Sequence, residues 1–295
     1  MRYDEFSMFH ENAEEWSLPY DGAPDVERLH LTVAAGRQLS ALRWGGSPPA
    51  LVLLHGGAQN AHTFDTVALA LRRPLLAVDL PGHGHSDAAP GGMGDVAGHA
   101  RDVAVALGEL GIERVAVVGM SLGGLVALSI ASRTPGLVDR LGMIDITPGL
   151  TPEKLGHITA FVNGPRSFAS LDELVARTMA HNPTRSESSL RRGVLHNALQ
   201  LDDGSWVWRH QRFAVSERAG TLDAATLWDE LSGIHAPVLL IRAMGPGSVV
   251  DDQDEAEFRR RQPSATVVRV EGSGHSVQGD QPVVLADALA EFLDS

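Results

Sequence analysis

The chain has no cysteine. Disulfides, thiolate metal ligands and cysteine nucleophiles are excluded together, so any catalytic group must come from Ser, His, Asp or Glu. Positive charge is also scarce: 24 Lys and Arg stand against 37 Asp and Glu, a formal charge of −13. A surface of that sign repels a phosphate backbone and an anionic bilayer alike, so neither nucleic acid nor a membrane is expected as a partner. No apolar run approaches the roughly 20 residues that a membrane-spanning helix needs. The opening MRYDEFSMFHENAEEW lacks the basic start and apolar stretch of a signal peptide, which points to a cytoplasmic protein.

What is present suits a soluble globular protein of moderate size. Hydrophobic residues make up 43% and charged residues 21%, enough apolar side chain to bury a sizeable core. Short Val-, Leu- and Ile-rich runs at 50–54, 75–79, 114–119, 140–144, 237–242 and 265–270 are bounded by Gly, Pro and Asp, as in strands buried on both faces of a parallel sheet. Helical patterns at 63–71, 96–110, 122–133, 254–261 and 282–293 lie between them, which predicts βαβ units. Ahead of these, 27–33 and 38–44 read as a hairpin meeting at Ala35-Gly36, on the sheet's edge. Residues 150–228 break the rhythm with short helical pieces at 171–180 and 187–199, so the expected division is core 1–149, helical cap 150–228 and core 229–295.

The sharpest local signal is Gly119-Met120-Ser121-Leu122-Gly123, between the apolar Val115-Ala116-Val117-Val118 and a helical stretch. In that strand-to-helix context G-x-S-x-G marks a serine held in a sharp, strained turn, with glycines where a larger residue would collide across it. The helix that follows aims its unbonded amides toward the reaction centre. Three further motifs surround it: His55-Gly56-Gly57 after the third strand, Asp79-Leu80-Pro81-Gly82-His83-Gly84-His85-Ser86 after the fourth, and Gly274-His275 near the end. In order and spacing the chain resembles the α/β-hydrolase superfamily over roughly residues 33–293, the insertion excepted. The resemblance implies an α/β-hydrolase fold: a mostly parallel sheet of about eight strands flanked by helices, with a cap over the strands' C-terminal edge.

It also implies roles. Ser121 is the expected nucleophile and His275, in the loop before the last helix, the expected base. Leu122 and Gly57 are the expected amide donors of the oxyanion hole, with Ala58 second to Gly57. His55 is expected to brace the oxyanion loop, and His83 and His85 to be turn residues, either of which could reach the pocket rim. His181, His196 and His210 lie in the cap, where packing competes with substrate contact. The acid departs from the family's usual place after the seventh strand, because Ala243-Met244-Gly245-Pro246-Gly247-Ser248 offers no carboxylate there. Asp145, at the end of the sixth strand and 24 residues beyond Ser121, is preferred. A carboxylate beside apolar residues needs a partner, and the imidazolium of His275 is one. Asp251 is the alternative, although Asp251, Asp252, Asp254 and Glu255 also read as the acidic first turn of a helix.

These residues predict hydrolysis of an ester or lactone of a fairly apolar small molecule through an acyl-enzyme, with no metal or organic cofactor. Hydrolytic C–C cleavage, cofactor-free dioxygenation and a non-catalytic binding role stay open as alternatives, and the oligomeric state is not specified. Dehalogenase and epoxide hydrolase chemistry is disfavoured, since those relatives need Asp in place of Ser121. The cap carries Arg166, Arg177, Arg185, Arg191, Arg192, Arg209 and Arg212 beside Phe161, Phe168 and Phe213. One of the arginines is a candidate clamp for a substrate carboxylate, against the commoner role of a solvated or paired surface charge. Asp203-Gly204 is a turn signal before Trp206 and Trp208, which an extended segment would project to one side, toward the core and the substrate.

Overall fold

The computed structural model of the chain describes residues 3–92, 94–210 and 224–295. Arg212 and Phe213 lie outside the described residues. The predicted runs become strands β1 (Val26–Ala34), β2 (Arg37–Trp44), β3 (Leu51–Leu54), β4 (Leu75–Val78), β5 (Val115–Met120) and β6 (Val138–Ile144). Short strands β7 (Ser167–Phe168), β8 (Ala198–Gln200) and β9 (Trp206–Trp208) follow, then β10 (Val238–Ala243) and β11 (Thr266–Val270). Eight of them form one sheet in the order β1-β2-β4-β3-β5-β6-β10-β11. The hairpin β1–β2 is antiparallel at the edge, β2 runs antiparallel to β4, and the remaining neighbours are parallel.

The helices are α1 (Phe9–Glu15), α2 (Asp65–Leu71), α3 (Val96–Glu109), α4 (Leu122–Arg133), α5 (Pro152–Val162) and α6 (Leu171–His181). They continue with α7 (Glu187–Asn197), α8 (Ala224–Ser232), α9 (Asp252–Arg261), α10 (Val277–Asp280) and α11 (Pro282–Asp294). Several start where a side-chain oxygen satisfies an amide of the first turn: Asp95 before α3, Thr151 before α5, Ser170 before α6, Ser186 before α7 and Asp251 before α9. None is long and apolar enough to cross a membrane.

Alternation along the strands separates two apolar layers. Leu51, Leu53, Leu75, Ala77 and Val118 pack with Phe64, Val67, Leu285 and Leu289 on one face. Val52, Leu54, Leu76, Val78 and Val117 pack with Val103, Leu107, Val126 and Leu231 on the other. Helix α1 was not anticipated from the acidic N-terminus. Its Phe9 is buried on the first face against Trp44, at 4.8 Å between ring centroids.

Residues 150–210 hold α6 and α7, where the helical patterns lie, together with α5 and a three-stranded sheet in the order β7-β9-β8. The Asp203-Gly204 turn makes it: Gly204 takes φ 87°, Asp203 accepts from the Ser205 amide, and Leu201 N bonds Ser205 O at 2.8 Å. The chain thus reverses, and Trp206 to Trp208 pair with both neighbours. Trp206 and Trp208 both pack on the small apolar cluster of Phe168, Leu174, Val175, Val194 and Ala198.

The crossing of β5 into α4 is tight because two glycines give way. A methyl on Gly119 would overlap the Gly123 carbonyl, and one on Gly123 would overlap the Leu54 carbonyl, backbone atoms that cannot turn aside. Gly119→Ala is therefore expected to lose about 1–3 kcal/mol, the cost of overpacking. Gly136→Ala, whose methyl meets no atom within 4 Å, is expected to stay within about 0.5 kcal/mol. Urea unfolding of the two variants checks the contrast, and equal losses contradict it.

Candidate active site

Ser121 sits between β5 and α4 with φ 51° and ψ −118°. A non-glycine residue in this region carries strain of order 1–3 kcal/mol and persists only where its surroundings fix it. Here its amide bonds the carbonyl of Ile144 on β6 at 3.1 Å, and its own carbonyl accepts from the Gly124 and Leu125 amides. Leu122, the first residue of α4, has an amide without an intrahelical partner. Ser121 and Leu122 open onto a cavity of about 880 Å³, walled also by Gly57, His275 and residues of α5, α6 and α7.

His275 Nδ1 lies 2.8 Å from Asp145 Oδ2. Asp145 has no exposed surface, and its carboxylate is filled by donors: Ala243 N at 3.0 Å and Ser248 Oγ at 2.7 Å on Oδ1, Val249 N at 3.1 Å on Oδ2. All three come from the end of β10 and the loop after it, where sequence inspection looked for a carboxylate and found serine. That loop delivers donors in place of an acid. Asp145 itself adopts φ 45°, a second strained non-glycine position that no sequence signal announced. Asp251 is placed differently: it caps α9 in a reciprocal capping box with Asp254, half-exposed, and holds Lys154 Nζ at 2.8 Å. The Lys154 hydrogen bond and the Asp254 amide hold its carboxyl below the usual range.

Beside Ser121, the loop after β3 is braced by two buried histidines. His55 Nε2 accepts from Leu80 N at 2.9 Å while Nδ1 contacts Gly56 O at 2.7 Å. His83 Nε2 accepts from Ala58 N at 3.1 Å while Nδ1 contacts Pro81 O at 3.0 Å. An imidazole nitrogen that accepts an amide proton cannot carry one, so both rings are neutral Nδ1–H tautomers. Burial accounts for this, holding His55 down to about 4 and His83 well below the ordinary histidine value, the latter helped by His55. His83 is a turn residue that does not reach the rim: it lies buried under the loop, and by engaging Ala58 N it removes that amide from the oxyanion candidates. The Gly57 amide makes no hydrogen bond among the described residues.

Other ties were not foreseen. Asp79 accepts from Ala61 N and His85 N and pairs with Arg28 at 2.8 Å, joining the loops after β3 and β4. Asn197, at the end of cap helix α7, donates to the Ala58 carbonyl at 2.6 Å. Gln59 accepts from Gly56 N and from Gln278, linking the oxyanion loop to the segment after His275. Most of these ties belong to no recognisable spacing, because Arg28, Asn197 and Gln278 come from distant parts of the chain.

Trp208 lines the cavity with Phe161, His181 and His210, whereas Trp206 lies in the cap's own cluster and does not line it. Of the cap arginines, Arg185 and Arg192 line the cavity. Arg192 is bound to Asn12, Glu11 and Glu15 of the N-terminal segment, and Arg185 donates to Ser189 with Asp280 at 3.9 Å. Arg177 stacks over Phe161, and Arg191 pairs with Asp172.

Comparison with known proteins agrees with this architecture. A model of the alpha/beta hydrolase family matches residues 51–288. Esterase Rv0045c of Mycobacterium tuberculosis is 44% identical over 300 residues, covering 99% of this chain and 96% of that one. A solved structure of the same esterase, described together with its inhibition by transition metals, gives a TM-score of 0.86 at 41% identity and covers both chains completely. The sn-1-specific diacylglycerol lipase ABHD11 of Mus musculus is 28% identical over 83% of this chain and 81% of that one.

The two candidate acids separate by substitution. Asp145→Asn is expected to lower kcat by about 10⁴-fold, as when asparagine replaces a buried aspartate behind a catalytic histidine. Asp251→Asn, which keeps a good capping side chain, should leave kcat within a few-fold. Steady-state kinetics on one activated ester decides, and the reverse ranking overturns the assignment of Asp145.

Proposed function

The chain belongs to the alpha/beta hydrolase family, and from that premise we propose that it hydrolyses a carboxylic ester or lactone through a serine acyl-enzyme. The observation that carries this reading is a strained serine and a carboxylate-held histidine opening on one cavity. Ser121 Oγ attacks the substrate carbonyl and its proton passes to His275 Nε2, which is unprotonated when Nδ1–H faces Asp145. The tetrahedral oxygen gathers negative charge between the Gly57 and Leu122 amides. Collapse breaks the ester bond, and the leaving alcohol takes the proton from His275. Water, activated by the same imidazole, then attacks the acyl carbon and frees Ser121.

The esterase and lipase names of the relatives support an ester bond as the target. The cavity supports a small-molecule substrate with apolar bulk, since Leu125, Leu155, Ile158, Phe161, Val162 and Trp208 line it. Its volume falls within the roughly 300–1,000 Å³ of ligand pockets.

The test is a serine-directed fluorophosphonate followed by peptide mass mapping, beside a panel of nitrophenyl esters. The expected outcome is label on the peptide bearing Ser121, ester turnover by the unmodified chain, and loss of at least about 10³-fold in kcat for Ser121→Ala. Labelling elsewhere, or undiminished turnover by Ser121→Ala, contradicts the proposal.

A further inference from the structure

Three side chains on the cavity wall have no part in the chemistry above. His62 lies in a single helical turn (Ala61–Phe64) before α2, Asp65 opens α2, and His196 belongs to cap helix α7. All are more than nine-tenths buried, and one donor atom from each lies within 4.8 Å of the others. His62 Nδ1 is 2.9 Å from Asp65 Oδ2, and His196 Nε2 is 3.8 Å from the same oxygen. That contact leaves half the set unsatisfied: Asp65 Oδ1 and His196 Nε2 are buried with no hydrogen-bond partner. Orphaned polar atoms in the interior cost of order 1–3 kcal/mol each, so two side by side call for a ligand.

The outer contacts have the form that metal-binding histidines use. His62 Nε2 faces Glu5 Oε2 at 3.1 Å, and Glu5 is itself anchored by Arg28. His196 Nδ1 faces the Tyr3 hydroxyl at 2.6 Å. Each imidazole therefore has a partner on its far nitrogen, while His62 also carries a proton on Nδ1 that faces Asp65 Oδ2.

We propose that His62, Asp65 and His196 form a site for a divalent transition-metal ion, separate from the ester chemistry. Two imidazoles and a carboxylate select ions such as Zn²⁺ or Co²⁺ over Mg²⁺ and Ca²⁺, which prefer all-oxygen surroundings. Three protein ligands leave a fourth position open toward the cavity. Binding displaces the Nδ1 proton of His62 to solvent and lets the metal take that lone pair, a carboxylate oxygen and His196 Nε2. The two rings now lie face to face, 3.8 Å apart at 13°, so one imidazole must swing out of the stack before both lone pairs meet on one ion. Since His196 rides on the cap and Asp65 on the core, a bound ion ties the two together across the substrate cavity.

The experiment uses the full chain, freed of any affinity tag and of metal by chelation. Titration with Co²⁺, read by its visible d–d absorption, and with Zn²⁺, read by calorimetry, is expected to show one saturable site per chain, with no comparable signal for Mg²⁺. His196→Gln and Asp65→Asn are each expected to weaken binding at least 10-fold, about the lower bound for loss of even an outer-shell partner. Tyr3→Phe, which leaves all three ligands in place, should weaken it less. Melting of the unmodified chain should rise with Zn²⁺, a readout that needs no variant to fold. Absence of a saturable one-ion site, or variants binding as tightly as the unmodified chain, overturns the proposal.

Discussion

Burying the Asp145 carboxylate with no access to water imposes a demand that much of the surrounding structure meets. An ionised carboxylate in the interior is tolerable only when its lone pairs are taken up by donors. Two backbone amides, one hydroxyl and one imidazole supply them. To do so, β10 must lie beside β6, and the loop after β10 must fold back over the end of β6. The left-handed backbone at Asp145 follows from the same demand, because the strand has to turn as its last side chain is aimed toward His275. Ser248 belongs to this arrangement as a donor, and an aspartate in its place would set two carboxylates against each other.

The loop after β3 depends on a second kind of constraint, neutral polar groups held in fixed tautomers. His55 and His83 lie edge to face, with ring centroids 5.0 Å apart. Each joins an amide on one loop to a carbonyl on a loop nearby. Their resistance to protonation matters, since a charged ring would turn an accepting nitrogen into a donor facing another donor. Asn197 extends the bracing into the cap, so the position of α7 and the shape of the loop after β3 are mechanically linked.

The fold and the strained turn at Ser121 were legible in the sequence because their signals are local. Val115-Ala116-Val117-Val118 into Gly119 and Ser121 states strand, turn and helix within a dozen residues, and the alternating apolar layers need only the period of a strand. Asp145 was legible mainly through what the loop after β10 lacks, since the residue itself looks like any strand-ending aspartate. His83 was legible as a turn residue, but its bond to the Ala58 amide was not, because spacing cannot reveal a partner on another loop. The small cap sheet was only half visible: the Asp203-Gly204 turn announced β9, but β7 is two residues long and exists by pairing alone. Trp206 and Trp208 illustrate the same limit, for the alternation put them on one side without showing that the cap has its own apolar cluster. The His62, Asp65 and His196 set was hidden for the reason that most ligand sets are, its third member arriving from a distant helix.

The account rests on Asp145 holding His275 with a proton on Nδ1 and a free lone pair on Nε2. Nitrogen-15 NMR of the labelled histidines at neutral pH tests this directly. His275 is expected to show a protonated Nδ1 coupled to a proton far downfield of the amides, with Nε2 unprotonated, and that proton should vanish in Asp145→Ala. A His275 protonated on Nε2, or a spectrum unchanged by removal of the Asp145 carboxylate, would contradict it.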